Sequence, residues 1–185
     1  PAGFLVGEGS GLLDLDDRVH EGGQGPEAGD RVVFDGTQRL DAVERRRRDR
    51  LFAEGKRALL VVLQGIDCSG KDGTVRAVFN PCGPLGVTVK PFGVPSEVER
   101  AHDYLWRVHK ACPAKGYIGI FNRSHYEDVL VVKVEKLAAA DAIERRYDEI
   151  NAFEKLVANS GTRILKFMLH VSTEEQAVRL QERVD

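Results

Sequence analysis

No run of apolar residues in this chain approaches the ~18 that a bilayer crossing needs, which argues against a membrane span. The N-terminus has no basic stretch leading into an apolar core, so a secretory signal is not expected. Cysteine is sparse: Cys68, Cys82 and Cys112 are odd in number, widely separated and without a CxxC pair. That spacing speaks against a disulfide frame and against a zinc site, and reduced thiols in a cytoplasmic protein are expected instead. Excess positive charge is missing too. Lys and Arg number 27 against 29 Asp and Glu, a formal net charge of -2. No bulk field draws nucleic acid, and an anionic substrate would need a local cluster of cations.

What is present is an ordinary soluble composition, long enough at 185 residues for one domain with a sizeable core. Nine of the 19 glycines precede residue 37. Residues 1–36 are also acidic and carry no sustained period, so they read as an N-terminal arm, lying on a folded body or partly disordered. The pattern turns helical from Thr37 to Glu54, where Leu40, Val43 and Leu51 share a stripe and Gly55 stops it. Arg45 to Arg48 and Arg50 form a dense basic run there, either a solvated face or a rim that guides a polyanion.

Ala58 to Leu63 is a continuous apolar run, the signature of a strand buried on both faces. A glycine loop follows, then a helix from Lys71 to Phe79. Val87-Thr88-Val89 reads as a second strand. Ser96 with Glu99 opens a helix carrying Val98, Leu105 and Val108 and ending before Pro113, with Trp106 in the core. Tyr117 to Phe121 is a third strand. Asp141 to Ala158 is a long helix with Ile143, Tyr147, Ile150 and Phe153 inward. Ile164 to Val171 is a further strand, and Ser172 with Glu175 caps a helix running to the end. Strands alternating with helices imply an α/β fold of three layers, with a mostly parallel sheet covered on both faces and its ligands at one edge.

The loop Gly65-Ile66-Asp67-Cys68-Ser69-Gly70-Lys71-Asp72-Gly73-Thr74 lies between a buried strand and a helix. Gly65 and Gly70 allow backbone angles that turn successive N–H groups toward one anion. The positive end of the new helix dipole faces the same point. Lys71 adds a full charge suited to a β- or γ-phosphate. The candidate phosphate- or nucleotide-binding residues are therefore Gly65, Cys68, Ser69, Gly70, Lys71, Asp72, Gly73 and Thr74. The alternative is a glycine-rich turn with a surface lysine. Asp72 stands where a hydroxyl residue usually reaches Mg²⁺, so Asp67 is the substitute ligand, because a hard cation wants carboxylate oxygen. Thr74 could add its hydroxyl. Asp67 could equally serve an Asx-turn that shapes the loop.

A second strand ends in Asn122-Arg123-Ser124-His125-Tyr126-Glu127-Asp128. Asn122 occupies the position where such sites place a carboxylate, and could bind Mg²⁺ through its carbonyl or a water. Arg123 offers a fork of donors for phosphate oxygens, unless it forms a structural salt bridge to Glu127 or Asp128. A structural role is expected of His125, since transfer between phosphates needs positioning and charge neutralisation more than a base.

The stretches LLVVLQGIDCSGKDGTVRAVF, FGVPSEVERAHDYLWRVHKACPAKG, IGIFNRSHYEDVLVV and ILKFMLHVSTEEQAVRLQERVD resemble the type 2 polyphosphate kinase family over roughly residues 51–185. The wording FNRSHYEDV resembles the subgroup acting on nucleoside mono- and diphosphates. The resemblance implies a P-loop kinase-like fold over residues 37–185. It implies Mg²⁺-dependent transfer between inorganic polyphosphate and ADP, GDP or AMP, with ATP as product or reverse substrate, and a homo-oligomer, dimer or tetramer. It assigns Mg²⁺ to Asp67 and Asn122, and the phosphates to Lys71, Asn122 and Arg123. It adds Arg183 as a further phosphate-binding residue of the last helix, with Arg179 one turn earlier as a weaker candidate. Members of the family continue into a basic, mobile lid where this sequence stops at Asp185. A chain without its C-terminal lid region, or part of a longer chain, is therefore expected. The competing readings are an ATP-dependent kinase of a nucleotide or another small molecule, and a P-loop binding module without turnover.

Overall fold

The computed structural model describes residues 3–8, 42–79 and 86–184. In order the elements are β1 (Gly3–Glu8), α1 (Ala42–Glu54), β2 (Ala58–Gln64), α2 (Lys71–Phe79), β3 (Val87–Pro91), α3 (Glu97–Arg100), α4 (Trp106–Ala111), β4 (Ile118–Asn122), α5 (Glu127–Val134), α6 (Ala140–Asn159), β5 (Thr162–His170) and α7 (Thr173–Gln181). One sheet has the order β1-β5-β2-β4-β3. β2 pairs in parallel with β5 and β4, β3 pairs in parallel with β4, and β1 lies antiparallel on β5. The sheet is thus mostly parallel, as its alternating elements required.

β2 is apolar throughout because both of its faces are covered. Leu60 and Val62 enter a core with Phe121 of β4 and with Val108, Val129, Ile143, Ile150 and Phe153, supplied by α4, α5 and α6. Val61 and Leu63 point the other way, to Ile118, Ile120 and the flanking Leu51, Val75 and Phe79 of α1 and α2. Period-two alternation along the strand therefore builds two cores from one run. The three-layer reading follows directly. It also places α2 and α5 on opposite faces although they follow neighbouring strands, β2 and β4. A crevice opens at the carboxyl ends of those strands for that reason, the usual ligand position in an open α/β sheet.

Several expectations need correction. The helix expected from Ser96 to before Pro113 is two short helices. Ser96 forms its capping box, accepting from Glu99 N–H at 3.2 Å while Glu99 accepts from Ser96 N–H at 2.8 Å. Asp103 then breaks the helix: its carboxylate accepts from Leu105 N–H at 3.0 Å and its carbonyl from Trp106 N–H at 3.1 Å, a local bond that competes with helix continuation. Val98 is accordingly 62% exposed while Val108 is fully buried. Trp106 is half-buried instead of core, stacked on His102 at 4.0 Å with Lys110 Nζ 4.2 Å over its ring. The last helix stops at Gln181, and Arg183 lies in the turn beyond it. Two elements had no counterpart in the sequence reading: α5, and the strand β1 inside the stretch read as an arm. The remainder of that stretch, together with Thr37–Asp41 and Cys82, lies outside the described residues.

Gly119, mid-strand in β4, is packed so closely that a Cβ there would sit 2.9 Å from Pro113 Cδ. Gly119→Ala should lower the unfolding free energy by about 1–3 kcal/mol through overpacking. A urea titration with an unchanged midpoint would refute this account of the β4–Pro113 contact.

Candidate phosphate-binding site

The loop after β2 is shaped by close contact. A Cβ on Gly65 would meet Ser69 Oγ at 2.5 Å and the Leu169 carbonyl oxygen at 2.6 Å, so only glycine lets the chain turn between β5 and the loop. Cys68 takes a positive φ of 62° without being glycine. Its conformation is held by α7: Arg179 Nη1 donates to the Cys68 carbonyl at 3.1 Å, and Gln176 Nε2 to the Asp67 carbonyl at 3.0 Å. Thr74 N–H bonds the Gly70 carbonyl at 2.9 Å, so α2 winds up immediately after the loop.

Lys71 is only 9% exposed and folds back on the loop. Its ammonium donates to the carbonyls of Gly65 at 2.7 Å and Ile66 at 2.9 Å, and to Ser69 Oγ at 3.3 Å. Burial, followed by the charge of Arg123, lowers the pKa of this ammonium. A phosphate arriving at the loop would supply the missing countercharge, so the site presents a cation that gains from an anion.

Across the crevice Arg123 also takes a positive φ of 62°. Its guanidinium meets Asp67 Oδ1 at 2.7 Å, not Glu127 or Asp128. Asp128 is claimed by the buried Arg107 at 3.1 Å. Asn122 Nδ2 donates to Asp72 Oδ1 at 2.5 Å, which leaves the Asn122 amide oxygen as its remaining acceptor. The two halves are thus joined by Asp67–Arg123 and Asp72–Asn122. The Thr74 hydroxyl donates to the Gly70 carbonyl at 3.0 Å, and Thr74 is not among the residues that line the cleft.

The resulting cleft has a volume of about 470 Å³. Asp67, Cys68, Ser69, Gly70, Lys71, Asp72 and Gly73 line one side, Asn122 and Arg123 the other, with Pro91, Phe92, Arg179, Glu182 and Arg183 around the rim. The structure therefore gathers nearly all the expected residues. Arg183 reaches the rim from the turn after α7. Arg179, the weaker candidate, has the firmer place through its bond to the loop.

Among the described residues, no group of three or more His, Cys, Asp or Glu side chains is placed to hold a metal alone. The residues lining the cleft nevertheless include oxygen donors: the carboxylates of Asp67, Asp72 and Glu182 and the side-chain oxygens of Ser69 and Asn122. That set fits Mg²⁺, which keeps several waters and takes one or two carboxylates together with substrate phosphates.

Behind the site lies a buried polar cluster that sequence reasoning missed. Glu154 of α6 accepts from Tyr126 Oη at 2.5 Å, His125 Nε2 at 3.2 Å and Lys166 Nζ at 2.8 Å. His125 is thus structural, as expected. Two signals were available: Glu154 falls on the apolar stripe of α6, and Lys166 interrupts the apolar run of β5. Gln64 and Gln176, both holding the loops, carried no signal beyond their position.

Burial alone would raise the Glu154 carboxyl. Hydrogen bonds from His125, Lys166 and Tyr126, with the charge of Lys166, outweigh it and hold the group at about 2, down from 4.5. A depressed carboxyl contributes stability that is complete above its unfolded value and is lost as pH falls through its folded one. Unfolding free energy should therefore decline as pH drops from about 4.5 toward about 2. Glu154→Gln should flatten that part of the profile. An equal slope in the variant would remove Glu154 as its source.

A family model described as polyphosphate kinase 2 (PPK2) matches residues 30–185. An AMP/ADP-polyphosphate phosphotransferase from Meiothermus ruber is 57% identical over 135 residues, covering 73% of this chain and 51% of that protein. A polyphosphate:AMP phosphotransferase from Pseudomonas syringae is 39% identical over 126 residues, 68% of this chain and 25% of that protein. The crystal structure of polyphosphate kinase 2 from Arthrobacter aurescens superposes with a TM-score of 0.71 at 43% identity, covering 75% of this chain and 50% of that one. The chain spans about half the length or less of these relatives.

Proposed function

The chain belongs to the polyphosphate kinase 2 family, and on that premise we propose that it transfers a terminal phosphoryl group between inorganic polyphosphate and a nucleoside mono- or diphosphate such as AMP, ADP or GDP. The observation that carries this reading is the convergence of a strand–loop–helix anion site and the Asn122-Arg123 turn on one crevice. Lys71 and Arg123 both line that crevice, together with the carboxylates of Asp67 and Asp72.

In the transfer, a terminal oxygen of the nucleotide attacks the end phosphorus of the polyphosphate while the P–O bond to the rest of the polymer breaks. No proton need move, since a phosphate oxygen attacks and a phosphate oxygen leaves. The catalytic requirement is therefore to hold two polyanions in line and to neutralise the charge spread over the equatorial oxygens. Lys71 leaves its loop carbonyls to bridge donor and acceptor. Arg123 exchanges Asp67 for a phosphate oxygen, where its planar fork can bind two oxygens at once. Arg179 keeps the loop in shape, and Arg183 meets the outgoing polymer at the rim. Asp67 and the Asn122 amide oxygen would hold Mg²⁺, which would supply charge neutralisation. The loop backbone from Asp67 to Gly73 orients the transferring group.

No described helix is long and apolar enough to cross a membrane. We also propose a cytoplasmic location, which the sparse, widely spaced cysteines favour, and a dimer or tetramer, which the family resemblance suggests.

The test is formation of ATP from ADP and polyphosphate with Mg²⁺. Lys71→Ala should lower the rate by at least about 10²–10³-fold, the scale for losing one group that stabilises transition-state charge. Wild-type-like turnover in that variant would remove Lys71 from the mechanism. Product formation from ATP and an acceptor, with none from polyphosphate, would replace the reading by an ATP-dependent kinase. Nucleotide binding without transfer would leave only a binding module.

A further inference from the structure

The turn from Arg123 to Tyr126 is held far more firmly than a loop of its length requires. Arg123 adopts a left-handed backbone that a non-glycine residue keeps only when its surroundings over-determine it. On one side its N–H bonds the Leu63 carbonyl at 3.0 Å. On the other, Ser124 is fully buried, and its Oγ accepts from Gln64 Nε2 at 2.9 Å and from Tyr126 N–H at 3.2 Å. Gln64 is the last residue of β2, so this bond ties the stem of one loop to the other. His125 and Tyr126 then plunge into the protein, 0% and 6% exposed, and both end on Glu154. Lys166 completes the array, donating to Glu154 and, at 3.1 Å, to Tyr126 Oη.

This array is a poor device for stability alone. Buried ion clusters seldom stabilise more than an apolar core of the same volume would. This one also leaves a polar atom without a hydrogen bond. A carboxylate can only accept, so His125 Nε2 carries the proton toward Glu154, and His125 Nδ1 is buried with no hydrogen-bond partner. What the array does achieve is geometric. A carboxylate on α6 and an ammonium on β5 fix two consecutive side chains, His125 and Tyr126, whose backbone begins two residues after Arg123.

We infer that Glu154 is a positioning residue: through Tyr126 and His125 it locks the 123–126 turn, and so sets where the Arg123 guanidinium stands opposite Asp67 and Lys71. The inference rests on the reading of Arg123 as a phosphate contact, but its first test needs no ligand.

Tyr126→Phe keeps the ring and removes the hydroxyl that joins Glu154 to the turn. Amide hydrogen exchange of the intact chain, followed by NMR, would compare the Arg123 N–H with the Leu59 N–H. Leu59 bonds the Tyr117 carbonyl at 3.0 Å at the far end of the same strand pair. Tyr126→Phe should speed exchange at Arg123 at least about tenfold while Leu59 changes less than about threefold, because the opening is local and not global. Glu154→Gln is the second variant, should the first fail to fold. Parallel acceleration at both amides, or none at Arg123, overturns the inference.

In the transfer assay, Tyr126→Phe should lower kcat about 10- to 100-fold with KM for ADP within about threefold, the pattern of a misplaced transition-state group. In an Arg123→Ala background the same change should cost no more than about twofold, because the residue it positions is gone. Multiplying losses would overturn the inference. A wild-type chain that transfers nothing from polyphosphate would sink the functional reading, and the exchange comparison would still decide the positioning role.

Discussion

Everything in this molecule depends on the parallel pairing of β2 with β4, Leu59 to Leu63 against Ile118 to Asn122. Because the strands run the same way, both release their loops at one edge. Because α2 and α5 pack on opposite faces, those loops part instead of crossing, and a crevice opens between them. The register places Leu63 beside Asn122, so the residues that begin the two loops are neighbours before any side chain acts. A single-residue slip would turn each strand's side chains to the wrong face and destroy both cores.

Within that frame the polar side chains of the cleft bond to one another or to the loop. Asp67 holds Arg123, Asp72 holds Asn122, and Lys71 rests on its own loop carbonyls. The exposed Asp67–Arg123 pair is worth little in water, at most about 1 kcal/mol, so a polyphosphate can displace it at small cost. Lys71 differs because it is nearly buried and its ammonium is already disfavoured. An incoming phosphate restores what desolvation removed. The cleft is therefore held together loosely where ligands must enter and tightly behind, where Glu154, Lys166, Tyr126 and His125 make a network shielded from solvent.

Much of this was legible from residue order. The apolar β2, the glycine loop, the capped α3 and α7 starts and the stripe of α6 all follow from local pattern. The site residues Asp67, Lys71, Asn122 and Arg123 could be named because strand–loop–helix context and residue chemistry agreed. The misreadings have local causes. A side-chain bond from Asp103 divided a helix that hydrophobic spacing alone would have continued. Trp106 looked like core by type, yet His102 and Lys110 cover its faces at the surface. α5 was missed because its valines suit strand and helix alike, and its exposed Val131 and Val134 blur the stripe.

Residue order alone sets the layered class and the chemistry at each strand end, because those depend on short-range rules: period, turn residues and the donors and acceptors that a side chain carries. It could not show that Arg123 would choose Asp67 over the nearer Glu127 and Asp128. Nor could it show that Arg179 and Gln176, more than 100 residues away, would grip the loop carbonyls, or that a glutamate and a lysine would meet inside the protein. Those outcomes depend on which elements become neighbours in space. Only the packed sheet, with α6 and β5 laid against the 123–126 turn, brings the partners within hydrogen-bonding distance.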